Sequence, residues 1–426
     1  MRLSDEILTE QITTSHEVPL AGAAPGTPGC RNVFILIDGT WNGELGEEGC
    51  QVITNVRKLY QCLGPDSPTQ IARYFRGVGN TEDYNRLQRL WYGFNGADEL
   101  RIRQSAFATI LKEYKPGDNL FILGFSRGAA CARRLCALLA DPQAGGLWSK
   151  ISITWHRFSN RITRQAENRF ASYETGGQRL AAKVGFLGCW DTVGAFILPT
   201  RFPQSPRLDR FVNWWTSLRQ RWRGDVPFQN LTVAAIVERA VHCVAIDETR
   251  NAFLPTLMNA EERVEEVWFP GVHSDVGGGY RRDALGRITL AFMINRLNAY
   301  AASRGLRPIV WDAAELQRCT AVPTGTTYDF HFHGLGGWIN GRDTRRIRVR
   351  SNDRVSAAIH PKIHWSVADL WQSNLTFAEA EARHGRWPIL YTPCNVKELN
   401  QWSAGVKRAA DAWPFDWVDR PPDSHV

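Results

Sequence analysis

The chain has 426 residues, 43% of them hydrophobic, and 51 Lys and Arg against 43 Asp and Glu give it a formal charge of +8. That length accommodates one large α/β domain with insertions, or two to three ordinary domains. No apolar run approaches a membrane span, and the acidic start MRLSDEILTEQITTSHE has neither the basic nor the apolar region of a signal peptide. The expectation is a protein made in the cytoplasm, with export by a route that needs no cleaved signal left open.

Nine cysteines, an odd number, lie without C-x-x-C or other metal-ligand spacing, so they read as reduced core residues; no metal and no cofactor is expected. Basic clusters at Arg219 to Arg223 and Arg345 to Arg350 suit either an anionic partner or a solvated face. Without a nucleic-acid-binding motif beside them, no nucleic acid is expected.

Residues 1–31 lack periodicity and carry AGAAPGTPG, a flexible lead-in. The first strand is Val33 to Ile37, and it runs into Asp38-Gly39-Thr40-Trp41-Asn42. A loop at the carboxyl end of a parallel strand is where an open α/β sheet places its site. Backbone N–H groups near Gly39 and Thr40 are therefore candidates for half of an oxyanion hole. Asp38 either fixes this loop by accepting N–H bonds or takes part in chemistry. Thr54 to Leu63 reads as a helix capped by Thr54, Ile71 to Phe75 as a strand, and Trp91 to Tyr114 as a loop followed by a long helix with Leu100, Phe107, Ile110 and Leu111 on one face.

Lys115-Pro116-Gly117-Asp118 stops that helix, and the apolar run Leu120 to Leu123 enters Gly124-Phe125-Ser126-Arg127-Gly128. This is a G-x-S-x-G nucleophile elbow with a buried strand before it and a small-residue helix (Ala129, Ala130, Ala132) after it. A nucleotide-binding turn with Ser126 as a helix cap would need a G-x-G-x-x-G or a P-loop lysine, and neither is present. The N–H of Arg127 is the expected other half of the oxyanion hole. Alternation of strand and helix up to this point argues for a mostly parallel sheet wound with helices.

A helical stretch is expected around Ile151 to Asn168, then a strand from Lys183 to Gly188 that runs into Cys189-Trp190-Asp191. An acid at a strand end downstream of the serine is where a triad carboxylate belongs, which selects Asp191, with Asp247 as its rival. Residues 199–228 interrupt the alternation: Trp214, Trp215, Leu218 and Trp222 recur at helical spacing beside Arg219, Arg221 and Arg223. That composition suits a lid or an interfacial helix making peripheral membrane contact through 211–223, and equally a helix packed on the core. Strands at Glu238 to Ile246 and Glu265 to Phe269 follow. His273, on a Gly-rich loop after the last of them, is placed to take the serine proton. His242 lies inside an apolar strand and reads as a core or supporting residue. Asp275 either pins the His273 loop or binds a cation. Ile288 to Tyr300 closes the core as a helix, and 301–426 form a C-terminal region of loops and short helices packed on the core or capping it.

The ordered series FILIDGTWN, TNVRKLY, YFRGVGN, GFSRGAA, FLGCWDTVGA, VHCVAIDETR and VWFPGVHSDVGGGY resembles the α/β-hydrolase domain of the type VI secretion phospholipase effectors and their uncharacterised bacterial and fungal relatives. The resemblance covers roughly residues 32–300, with an echo at Ile363-His364-Trp365-Ser366-Val367. It implies a serine esterase acting on phospholipid acyl chains, with Ser126, Asp191 and His273 as its triad, the residues that chain order also selects. A lipid or other ester is then the expected substrate, with an immunity or carrier protein as a further partner. An esterase or amidase on a small substrate, or a non-catalytic module that keeps the fold, stands as the alternative.

Overall fold

The computed structural model describes residues 30–39, 53–77, 97–115, 117–140, 183–194, 231–250, 253–280, 283–322, 345–372, 391, 395–396 and 414–422. The lead-in through residue 29, Thr40, the helix expected near 151–168 and the Trp- and Arg-rich segment 199–228 lie outside the described residues.

Strands β1 (Asn32–Ile37), β3 (Asn119–Phe125) and β4 (Val184–Trp190) are buried along their whole length, and their near-continuous apolar sequences are what a strand covered on both faces requires. With β2 (Gln70–Phe75), β5 (Val237–Ala245), β6 (Val264–Phe269), β9 (Lys362–His364) and β10 (Asp416–Val418) they form an eight-stranded sheet in the order β10-β9-β6-β5-β4-β3-β1-β2. Every neighbouring pair in it is parallel. Alternate residues of β1 face opposite ways. Phe34 and Leu36 join the core under α1 (Asn55–Cys62), α5 (Ala284–Ser303) and α6 (Ala313–Thr320), while Val33, Ile35 and Ile37 join the core under α2 (Ala97–Glu113) and α3 (Arg127–Ala140). This is the expected α/β-hydrolase-like class, a parallel sheet wound with helices on both faces.

Thr54 caps α1 as expected, accepting the Arg57 N–H at 3.2 Å. Phe107 and Ile110 of α2 are buried, and Ala129, Ala130 and Ala132 of α3 are fully buried against the sheet. Among the described residues no helix is long and apolar enough to cross a membrane, and the seven described cysteines are buried.

The sheet does not stop at β6. The tail returns to it: Val267 pairs with Lys362 and Trp268 with Ile363, and β10 then pairs with β9. Val244, Ile246, Trp268 and Ile363 share a third core with Val367, Leu370 and Trp371 of α7 (Ser366–Gln372). Each added strand has three residues, too few for a period to declare itself. Within the basic run RRIRVR the tail also begins a hairpin of β7 (Val349–Ser351) and β8 (Arg354–Ser356). Its turn residues Asn352 and Asp353 both take positive φ, as a two-residue primed turn demands.

Candidate active site

The parallel register sets the carboxyl ends of the central strands level. Ile37 stands opposite Gly124, Phe125 opposite Trp190, and Trp190 opposite Cys243. The residues that follow β1, β3 and β4, namely Asp38, Ser126 and Asp191, therefore reach one edge of the sheet.

Ser126 turns the chain from β3 into α3 with φ of 58°, a left-handed conformation costing a non-glycine residue about 1–3 kcal/mol. The flanking glycines make that turn sterically feasible. A Cβ on Gly124 would lie 2.5 Å from the Gly128 carbonyl oxygen, and one on Gly128 would lie 2.3 Å from that of Ile37. The backbone around the serine is locked: its N–H donates to Trp190 O at 2.9 Å, and its carbonyl accepts from Ala130 and Val193, each at 3.2 Å.

Asp191 also has a positive φ, 36°, and is fully buried. Its N–H donates to Cys243 O at 2.7 Å, and its Oδ1 accepts the Ala245 N–H at 3.0 Å. His273 opens α4 (His273–Gly277), a short helix where a Gly-rich loop was expected. The helix forms because Asp275 Oδ2 takes the Val272 N–H at 2.9 Å, and because buried Asn55 on α1 donates to Val276 O at 3.1 Å and Gly286 O at 2.8 Å. The His273 ring lies between Phe125 and Phe253, with centroids 4.6 and 4.8 Å away.

These elements bring the three side chains together. His273 Nδ1 lies 2.5 Å from Asp191 Oδ2, and Nε2 lies 2.8 Å from Ser126 Oγ. A carboxylate only accepts, so Nδ1 carries the proton and Nε2 is left to accept from the serine hydroxyl. All three residues are buried.

A fourth residue, Arg345, completes the cluster, and sequence reasoning saw it only as part of a basic run. Its Nη1 donates to Asp191 Oδ1 at 2.7 Å and to Ala245 O at 2.7 Å; its Nη2 donates to Asp191 Oδ2 at 2.9 Å and to Phe253 O. Burial opposes ionisation of Asp191, but the Arg345 guanidinium and the His273 imidazole outweigh it and hold the carboxyl well below the ordinary carboxylate range. A parallel pair stands on the other side: buried Glu248 accepts the His273 N–H at 3.2 Å and is held by Arg250 Nη2 at 2.7 Å. Burial again opposes ionisation, and Arg250 brings Glu248 down to about 2.

The other expected residues take supporting places. Asp247 accepts from Gly271 N–H at 2.6 Å and from Tyr391 Oη at 3.1 Å, while the carboxylate hydrogen-bonded to the His273 ring is that of Asp191. His242 is fully buried in β5, with Nε2 accepting the Thr192 N–H at 3.0 Å and Nδ1 lying 2.9 Å from Glu266. Asp275 pins the start of α4, the loop-fixing role weighed for it. Asp38 likewise ties its loop, accepting from Gly39 N–H at 2.6 Å, Thr54 Oγ1 at 2.7 Å and Tyr74 Oη at 2.5 Å. The Gly39 amide, expected to serve an oxyanion, is therefore engaged by Asp38. Arg127 provides the first N–H of α3 beside Ser126.

A family model described as "T6SS, Phospholipase effector Tle1-like, catalytic domain" matches residues 31–296. The uncharacterised protein YEL023C of Saccharomyces cerevisiae is 26% identical over 247 residues, 52% of this chain and 32% of its own length. Among solved structures, a Tle1 effector bound to the VgrG spike of the type 6 secretion system aligns at 19% identity with a TM-score of 0.36, over 64% of this chain and 55% of that one. The esterase Est2 of Thermogutta terrifontis with butyrate bound aligns at 13% identity with a TM-score of 0.34, over 65% and 86%. The chain thus spans about a third of the yeast protein and about half of the Tle1 effector.

Proposed function

The chain belongs to the Tle1-like family of type VI secretion phospholipase effectors, and on that premise we propose that it is a serine hydrolase cleaving acyl esters of phospholipids through an acyl-enzyme. The observation that carries the reading is the continuous hydrogen-bonded line from Ser126 through His273 to Asp191 at a strained strand-to-helix turn.

In this mechanism Ser126 Oγ attacks the ester carbonyl while His273 Nε2 takes its proton. Asp191 holds the Nδ1–H tautomer and stabilises the imidazolium as it forms. The tetrahedral oxyanion meets the N-terminal N–H groups of α3, beginning with Arg127, where the helix dipole favours negative charge. Collapse of that intermediate breaks the ester C–O bond, and the imidazolium returns its proton to the departing alcohol. Water then attacks the acyl-serine by the same route and releases a fatty acid. Family membership supports the lipid class; this chain's own residues support the chemistry.

A fluorophosphonate should label wild-type protein at Ser126 and fail to label a folded Ser126→Ala variant. Vesicles of phosphatidylethanolamine and phosphatidylglycerol incubated with wild type should yield lysophospholipid and free fatty acid. Full ester hydrolysis by folded Ser126→Ala would overturn the proposal.

A further inference from the structure

Arg345 lies beyond the matched residues 31–296, on the segment that leads into β7. We propose that Arg345 is a positioning residue for the hydrolysis assigned above: it fixes the orientation of the Asp191 carboxylate and, through it, of the His273 imidazole that takes the Ser126 proton. The inference rests on the serine-hydrolase reading.

The geometry is that of a fork. Both guanidinium Nη atoms engage both oxygens of one carboxylate, and each has a second acceptor in the carbonyl of Ala245 or Phe253. The two side chains are 2% and 0% exposed, so little solvent screens the pair. The Arg345 main chain is pinned as well: Asn395 Nδ2 donates to its carbonyl at 3.1 Å and to Ile246 O at 2.8 Å. Asp191 Oδ2 is thereby shared between Arg345 and His273, and the carboxylate cannot rotate to lose one partner without losing the other.

The test is fluorophosphonate labelling at Ser126 in the full chain, which counts active sites, with kcat per labelled site and KM measured on a soluble short-chain nitrophenyl ester. Arg345→Lys, which keeps the charge but cannot hold both oxygens, should lower kcat about ten- to a hundredfold at unchanged KM. A residue that only holds the fold together would lower the labelled fraction and leave kcat per labelled site where it was. Wild-type kcat in Arg345→Lys, or a loss confined to KM, therefore overturns the inference. Should that variant not fold, Arg345→Gln decides by the same readout. Wild type that is neither labelled nor active refutes the serine-hydrolase reading itself; labelled, active wild type with indifferent Arg345 variants refutes this inference alone.

Discussion

Asp191→Asn separates the two tasks proposed for this carboxylate. In wild type its oxygens accept from Arg345 twice, from His273 and from the Ala245 N–H, all in a fully buried setting. An amide keeps one acceptor and turns two donor hydrogens toward either His273 or Arg345, which are themselves donors. On the catalytic side the wrong imidazole tautomer is favoured, and the expected loss in kcat is about 10⁴-fold. On the structural side Arg345 loses its counter-charge while remaining buried, and breaking one partner of such a pair costs about 3–5 kcal/mol. For a chain of this size that lowers Tm by about 3–6 °C. The double variant Asp191→Asn with Arg345→Met should recover most of the stability and none of the activity, because no unpaired charge is left behind. Urea unfolding at pH 7 measures the stabilities, and ester turnover measures the rates. Folding depresses the Asp191 carboxyl below its ordinary value of 3.8, so the stability it contributes is complete above that value and is lost as pH falls further. The gap between wild type and the Asn variant should accordingly narrow in acid. An Asn variant as stable as wild type at pH 7 would refute the ion-pair reasoning, and one with near-normal turnover would remove Asp191 from the triad.

Two further outcomes are expected. Asn55→Ala strips donors from the carbonyls of Val276 and Gly286 and from Thr289 Oγ1, which should cost about 1–3 kcal/mol and loosen α4; faster amide hydrogen exchange at 273–277 is the signature, and unchanged exchange there speaks against this account of how α4 is held. Burial pushes half-buried Asp247 up to about 7, so its contribution to stability is present below its ordinary value and lost as pH rises through 7. Wild type should lose roughly 2–3 kcal/mol between pH 5 and 8 from this group, and Asp247→Asn should flatten the slope; urea midpoints at the two pH values measure it, and an unchanged slope refutes it.

The central strands were legible because each is a run of apolar residues ending at a turn, and because helix capping has its own local signal at Thr54. The elbow was legible for a steric reason: two glycines at fixed spacing around Ser126 have few other uses after a buried strand. Arg345 was not, since nothing in RRIRVR distinguishes an arginine that turns inward from those beside it, and its partner is far away in the chain. Pairing of Glu248 with Arg250 could have been suspected from DETR, where the acid and the base stand two apart. Helix α4 hid behind its glycines. Its signal was Asp275, three residues after Val272, a spacing that lets a side chain reach back to an N-terminal amide. Strands β9 and β10 are decided by partners across the sheet rather than by their own residues, which is why only the echo around Ile363 pointed to them.

Chain order gives the Asp191–Arg345 pair one more consequence. During synthesis the hydroxyl, the carboxylate and the imidazole all leave the ribosome before the guanidinium that neutralises the carboxylate, and before the strands that extend the far edge of the sheet. A nascent chain can thus hold all three groups of the proposed triad while the charge set around them is still incomplete. The guanidinium that completes the charge set is supplied by the tail.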